Sequence, residues 1–336
     1  MMKPSEELEK QVKHAVRMFA ISIATNRKVV SDMTPLVEVT SQLSLSNLDY
    51  WERLIRGEFA EVMRSSPHPR WKFWGNSPQI LTWLDLISWD GYTRERTLRT
   101  ISGPVPNSFF FALVLRRLND WVPQVREAAR EKILSLVNES DPASVVEALC
   151  LTLSHWNSWG RMEQSDKQAI LDSISNPRIA LSLQSKIVSS SSGPMVTLMS
   201  QAIRTSALDD SIHDIARRAV QPSVRAKAYR GLFEGRVVWL EGRKWEWTDK
   251  RYCEGKFVPV LGERQLTFRL PFMEVLHRSS EDRSSIVRRV AAEFLIKNLN
   301  SLGTDAAMFA ERFANDKSGT VSERGRFAIS QLGAGK

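Results

Sequence analysis

A short pattern that returns along the chain limits the folds open to it. Within Asn119 to Asn138 (NDWVPQVREAAREKILSLVN), Val125 is followed by Arg126, Ala129 and Ile133, with Asp120 five residues upstream. Spacings of four put a medium, a small and a large apolar group on one face of a helix. The register recurs at Val224, with Arg225, Ala228 and Leu232, and at Val287, with Arg288, Ala291, Leu295 and an upstream Asp282. A looser copy begins at Val321, with Gly325, Ile329 and Asp316, and a fifth at Thr93, with Arg94, Thr97 and Ile101. Origins at 93 and 125 lie 32 residues apart, and those at 287 and 321 lie 34 apart. A helical unit of this length cannot bury its apolar face alone, so copies stack and share one core. The small residue allows close approach between helices. The turn acid and the arginine are placed to pair, within or between repeats.

These residues resemble the HEAT-repeat family, whose Asp-turn-Val-Arg-x-x-small pattern is clearest from Asp120 to Ala129 and from Asp282 to Ala291. The resemblance covers residues 78–138 and 200–334, is only suggestive over 139–199 and is absent at the N-terminus. It implies an all-α, right-handed α-solenoid of stacked helical hairpins, and it speaks to fold rather than activity.

Apolar periodicity and breaker residues divide the chain further. Residues 1–63 read as an N-terminal helical cap, with helices at 4–25 and 34–43 and another starting near Ser46 or Asn47. Residues 64–77 form a basic-aromatic linker containing Arg70, Trp71, Lys72 and Trp74. HEAT-like repeats are expected over 78–188, opening with a helical hairpin at 78–90 and 92–102. The run Ser189 to Pro194 is a Ser-rich hinge. One more repeat occupies 195–235, and C-terminal repeats occupy 269–334. Between them, residues 236–268 leave the helical period. This stretch is rich in Val, Trp, Tyr and Phe, and Trp245 and Trp247 alternate with Glu246 and Thr248 as on a strand. It is predicted to be a β-hairpin or three-stranded meander inserted into the array.

The chemistry-bearing residues exclude several classes. Five histidines lie far apart without zinc-type neighbours, so neither a metal nor any other cofactor is expected. No phosphate-cradling loop, dinucleotide glycine pattern or nucleophile elbow is present. No apolar run reaches the roughly 20 residues that a membrane helix needs. Cys150 and Cys253 read as two reduced thiols in a cytoplasmic protein.

Two functions remain. The first is a non-enzymatic scaffold that binds another protein through the concave face of its array and the insertion, with Trp239, Trp245, Trp247, Tyr252 and Phe257 as anchors. The alternative is nucleic-acid binding in a basic groove, drawing on the net charge of +9. Arg70, Trp71, Lys72, Trp74, Arg243, Lys244, Lys250 and Arg251 would then make the contacts. Some HEAT-like proteins are DNA glycosylases, and Trp83, Asp85, Trp89 and Asp90 form a superficially similar cluster. That family's catalytic pattern does not align to them.

Overall fold

A computed structural model describes residues 5–25, 32–65 and 81–334. The linker residues Arg70, Trp71, Lys72 and Trp74 therefore lie outside the described residues. Among those described, sixteen α-helices and short 3-10 turns accompany one two-stranded antiparallel sheet. The chain divides into two compact units, Met1–Ile179 and Ala180–Lys336.

The first unit begins with α1 (Glu6–Thr25), α2 (Thr34–Ser41) and α3 (Leu48–Ser65). Then come α4 (Gly91–Thr100), α5 (Ser108–Arg116), α6 (Pro123–Glu139), α7 (Pro142–His155) and α8 (Gln164–Ile174). Helices α4, α6 and α8 pack side by side in one row, and α5 packs on α7 in another. The sequence SFFFALVL makes α5 apolar on all sides, and Phe109 to Leu115 are buried throughout. Such a helix belongs inside a stack. The expected helix at 78–90 is instead a single 3-10 turn, Trp83–Ile87, among the described residues. Leu84, Leu86 and Ile87 are all buried there, which no single helical stripe allows, and Asp85 closes the turn on Thr82.

The boundary between units falls within α9 (Pro177–Ser189). The second unit continues with α10 (Met195–Ala202), α11 (Ile212–Arg218) and α12 (Pro222–Glu234). After the sheet come α13 (Phe272–Ser280), α14 (Ser285–Lys297), α15 (Thr304–Ala314) and α16 (Gly319–Ala334). Helices α12, α14 and α16 form a row, each packed on the helix before it. Leu276, Ala291, Leu295, Phe309, Phe313, Val321 and Ala328 are part of one core. Gly325 lies so close to the α15 backbone at Phe313 and Ala314 that a Cβ would collide with it. Ile329 differs from expectation: it is exposed, because the buried stripe of α16 runs through 321, 325 and 328. The Ser-rich run is tied to the turn before α12, where Gln221 Nε2 donates to the Ser192 carbonyl at 2.9 Å.

The repeated arginine fills one role each time. Arg94 donates to the Ser88 carbonyl at 2.8 Å, Arg126 to that of Asp120 at 3.0 Å, Arg225 to that of Ala219 at 2.7 Å and Arg288 to that of Asp282 at 2.8 Å. Each acceptor lies six residues upstream, in the arginine's own turn. In three of the four the rest of the guanidinium reaches the aspartate of the next repeat, while Arg126 makes a single bond of 3.1 Å to Glu163. Arg94 grips Asp120 at 2.9 and 2.7 Å, Arg225 grips Asp282 at 2.8 and 2.8 Å, and Arg288 grips Asp316 at 2.6 and 2.9 Å. These two-pronged contacts have the strong geometry of an arginine–carboxylate pair. Each aspartate also accepts the backbone N–H two residues on, at 3.0, 2.8 and 2.8 Å, and so holds its own turn. Burial opposes the charge of Asp120, yet Arg94, the Val122 amide and Arg117 together hold its carboxyl below the usual range.

Candidate functional site

The insertion grows directly out of α12. Gly235 ends that helix in the left-handed region (φ 63°), and β1 (Arg236–Asp249) starts at the next residue. It pairs antiparallel with β2 (Glu254–Gln265), giving a hairpin and no third strand among the described residues. Valines and aromatics suit a pleated ribbon. At the tip, Asp249 Oδ1 accepts the Arg251 amide at 2.8 Å, and Cys253 takes a positive φ of 55°.

The root of the hairpin is bound to the helices. Lys227 Nζ donates to the Val238 carbonyl at 2.7 Å, and burial pushes this ammonium below its usual pKa. Gln201 and Arg204 donate to the Leu240 carbonyl at 3.1 and 3.0 Å. From β2, Arg264 grips buried Asp209 at 2.8 and 2.5 Å and donates to the carbonyls of Ile203 and Thr205. Thr267 adds two bonds of 2.9 Å to the same carboxylate. Burial opposes the charge of Asp209, but Arg264 and Thr267 outweigh it and lower its pKa. An arginine from a strand thus does for Asp209 what helix arginines do for the other turn acids.

Beyond the root the two faces differ. Cross-strand partners share a face, and the register pairs Trp247 with Gly255, Trp245 with Phe257, Arg243 with Pro259 and Leu240 with Leu261. One face therefore carries Trp247, Trp245, Phe257, Pro259 and Leu261, with Arg243 among them. Trp245 is 43 % exposed, Trp247 52 %, Leu261 59 % and Phe257 64 %. The Trp245 ring stands edge-on to Trp247 (centroids 5.6 Å, planes at 86°) and to Phe257 (5.0 Å, 72°). Gly255 makes room for it, since a Cβ there would lie 2.5 Å from the indole. The three rings form one patch.

The other anticipated anchors stand apart. An irregularity between Leu240 and Gly242 shifts the alternation, so Trp239, paired with Gly262, lies on the opposite face at the root. It is half-buried, with Arg204 above its ring at 5.7 Å. Tyr252 is exposed at the tip beside Lys250 and Arg251. Lys244 occupies the second face, paired with Glu246 at 2.7 Å. The four hairpin cations named in sequence analysis are thus divided among two faces and the tip. Leu261 and Pro259 were missed as candidates. Their signal was the alternation Phe257-x-Pro259-x-Leu261, which becomes readable once the register is known.

The Trp83–Asp90 cluster does not converge. Asp85 is buried in its own turn, where burial pushes its pKa up, and Asp90 caps α4 through the Thr93 amide at 2.9 Å. Trp83 packs on Phe110 and Trp89 is exposed. A shallow cleft between α6 and α8 is lined by Arg126, Arg130, Glu163 and Asp166, which pair at 3.1 and 3.3 Å. Among the described residues no group of three or more His, Cys, Asp or Glu could hold a metal ion. No described helix is long and apolar enough to cross a membrane.

A family model described as a HEAT repeat associated with sister chromatid cohesion matches residues 106–129 and 258–295. The first match covers α5 and the turn and opening of α6, with Asp120, Val125 and Arg126. The second runs from the latter part of β2 through α13 and most of α14, with Asp282, Val287 and Arg288. No curated protein matches the chain. The matches fall on the two turns where acid, origin and arginine are most complete, and the turns are joined as stacked repeats require: the chain carries HEAT repeats, and its described residues form an α-helical solenoid with an inserted β-hairpin.

Proposed function

We propose that this chain is a non-enzymatic scaffold whose hairpin anchors a protein partner through Trp245, Trp247 and Phe257. Pro259 and Leu261 extend the contact, while Tyr252 at the tip and Trp239 on the opposite face lie outside it. HEAT repeats commonly mediate protein interactions, which fits the reading. The observation that carries it is the ring cluster itself: three mutually packed aromatics left exposed on a ribbon whose root is firmly held. Contiguous exposed apolar surface of this kind marks interaction sites, and aromatics dominate their energetics. Each Å² removed from water contributes about 25 cal/mol.

Two observations favour protein over nucleic acid. The rings meet edge-on, so they present one apolar patch rather than parallel faces for successive bases. Arg94, Arg117, Arg225, Arg264 and Arg288 are already engaged by internal carboxylates. The test is affinity purification with the wild-type chain and with a chain in which a Gly-Ser turn replaces residues 242–256. The partner is expected to be lost while the helical circular-dichroism signal stays. Unchanged recovery of the same partner overturns the reading. Titration with labelled single- and double-stranded DNA and RNA, at roughly 50 and 200 mM salt, checks the alternative. Tight binding that collapses with salt would favour it.

A further inference from the structure

The position four residues before each repeat origin is Trp89, Trp121, Val220, Arg283 and Lys317 in chain order. Tryptophan occupies it in the two successive repeats of the first unit, and both indoles are 77 % exposed. Each carries a guanidinium on its ring, Arg56 at 4.4 Å on Trp89 and Arg161 at 3.3 Å on Trp121. Tyr92, in the first turn of α4, is 84 % exposed beside Trp89.

The two turns are held to each other. Arg94 takes the Trp89 carbonyl at 3.1 Å and, with the same guanidinium, the carboxylate of Asp120, which adjoins Trp121. Gly91 lies against Val122, so close that a Cβ would sit 2.8 Å from Cγ2. The Arg161 amide donates to Asn119 Oδ1 at 3.0 Å, fixing the backbone that presents the second guanidinium. The turns open α4 and α6, which pack side by side, and neighbouring helices lie about 8–10 Å apart.

We propose that Trp89 and Trp121, with Tyr92, form a second docking ledge, for an extended acidic segment of another protein carrying two apolar side chains three residues apart. In a polyproline-II segment, side chains three apart share a face and lie about 9 Å from each other, the order of the spacing between neighbouring packed helices. Charge complementarity selects the acid. Arg161 stands on Trp121 without an ion pair among the described residues. Arg94 and Arg126 in the same turns are taken by Asp120 and Glu163. Two indoles and one uncommitted cation suit a peptide with a carboxylate. They give too few cations to track a phosphate backbone.

The experiment uses the full chain and fluorescence anisotropy. The probe is a labelled peptide of about twelve residues, mostly Glu, with two Phe three apart. Controls replace every Glu by Lys, or the peptide by an oligo-dT strand. The acidic peptide is expected to bind, and Trp89→Ala with Trp121→Ala to weaken it at least about thirtyfold. Arg161→Gln is expected to weaken it about tenfold. Both indoles are exposed, so the double variant should melt at the wild-type temperature, and Tyr92→Ser supplies a second variant if it does not. The chain with residues 242–256 replaced should bind as wild type, which separates this ledge from the hairpin. Equal binding by the double variant, preference for the Lys peptide, loss on hairpin replacement, or indole-dependent binding of oligo-dT with none of the acidic peptide would each overturn the proposal.

Discussion

The arginine–aspartate rungs and the outer half of the hairpin treat their best binding groups in opposite ways. In a rung, one guanidinium meets a turn carbonyl and the next repeat's acid, and Arg225 is left 1 % exposed. On the hairpin, Trp247 and Phe257 each touch Trp245 on one side and face solvent on the other. A buried charge that loses its partner costs far more than an exposed ring that loses its neighbour. Rung residues should therefore govern stability, and ring residues binding.

The most severe break should come at Arg225. Arg225→Ala leaves Asp282, whose side chain is 8 % exposed, without its guanidinium and should cost about 3 kcal/mol in urea unfolding. A smaller loss would mean that water enters the rung. Next is Arg264→Ala, which strips Asp209 of its strand partner but leaves the two Thr267 bonds. A loss of about 2–3 kcal/mol is expected, together with faster amide exchange at the hairpin root. Exchange confined to the helices would show that the strand arginine does not hold the ribbon.

Acid should sharpen the contrast. Glu293, bonded by Arg230 at 3.2 and 2.8 Å, has its pKa lowered to about 2 from 4.5, and Asp316 is lowered by Arg288. A depressed carboxylate pKa means stability that is full above the unfolded value and lost as pH falls through the folded one. Thermal melts should therefore fall for the second unit between about pH 4.5 and 2, and Glu293→Gln should flatten part of that decline. An unchanged slope would remove Glu293 from the account. The smallest stability effects belong to Trp245→Ala, Trp247→Ala and Phe257→Ala, each within about 0.5 kcal/mol of wild type. Their partner affinity should nevertheless drop at least about tenfold. A large stability change with intact binding would invert the comparison.

What the amino-acid order revealed follows the same division. The Val-Arg-x-x-small register is local, so Val125, Val224 and Val287 could be recognised as buried origins without knowing any neighbour. Which acid each arginine meets depends on stacking between repeats, and the pattern alone left pairing within or between repeats open. The strand character of Trp245 and Trp247 was legible from alternation. The shift between Leu240 and Gly242, which turns Trp239 to the other face, was not, because it depends on the paired strand. Trp89 drew notice only within a superficial cluster that matched no catalytic pattern, and Trp121 was not singled out. Their shared place in the repeat emerges only when the turns are aligned on the rungs.

The spacing of the rungs has a consequence for how the chain can change. Arg94 and Asp120 are 26 positions apart, and Arg288 and Asp316 are 28 apart, but Arg225 and Asp282 are 57 apart with the same two-pronged geometry. The whole ribbon has been spliced between partners that still find each other. Doubling the length of a closed loop adds only about 0.6 kcal/mol of ordering entropy. The junction between α12 and α13 is therefore a socket, able to accept a foreign segment of comparable length whose ends lie as close as those of a hairpin, while the rung across it stays shut.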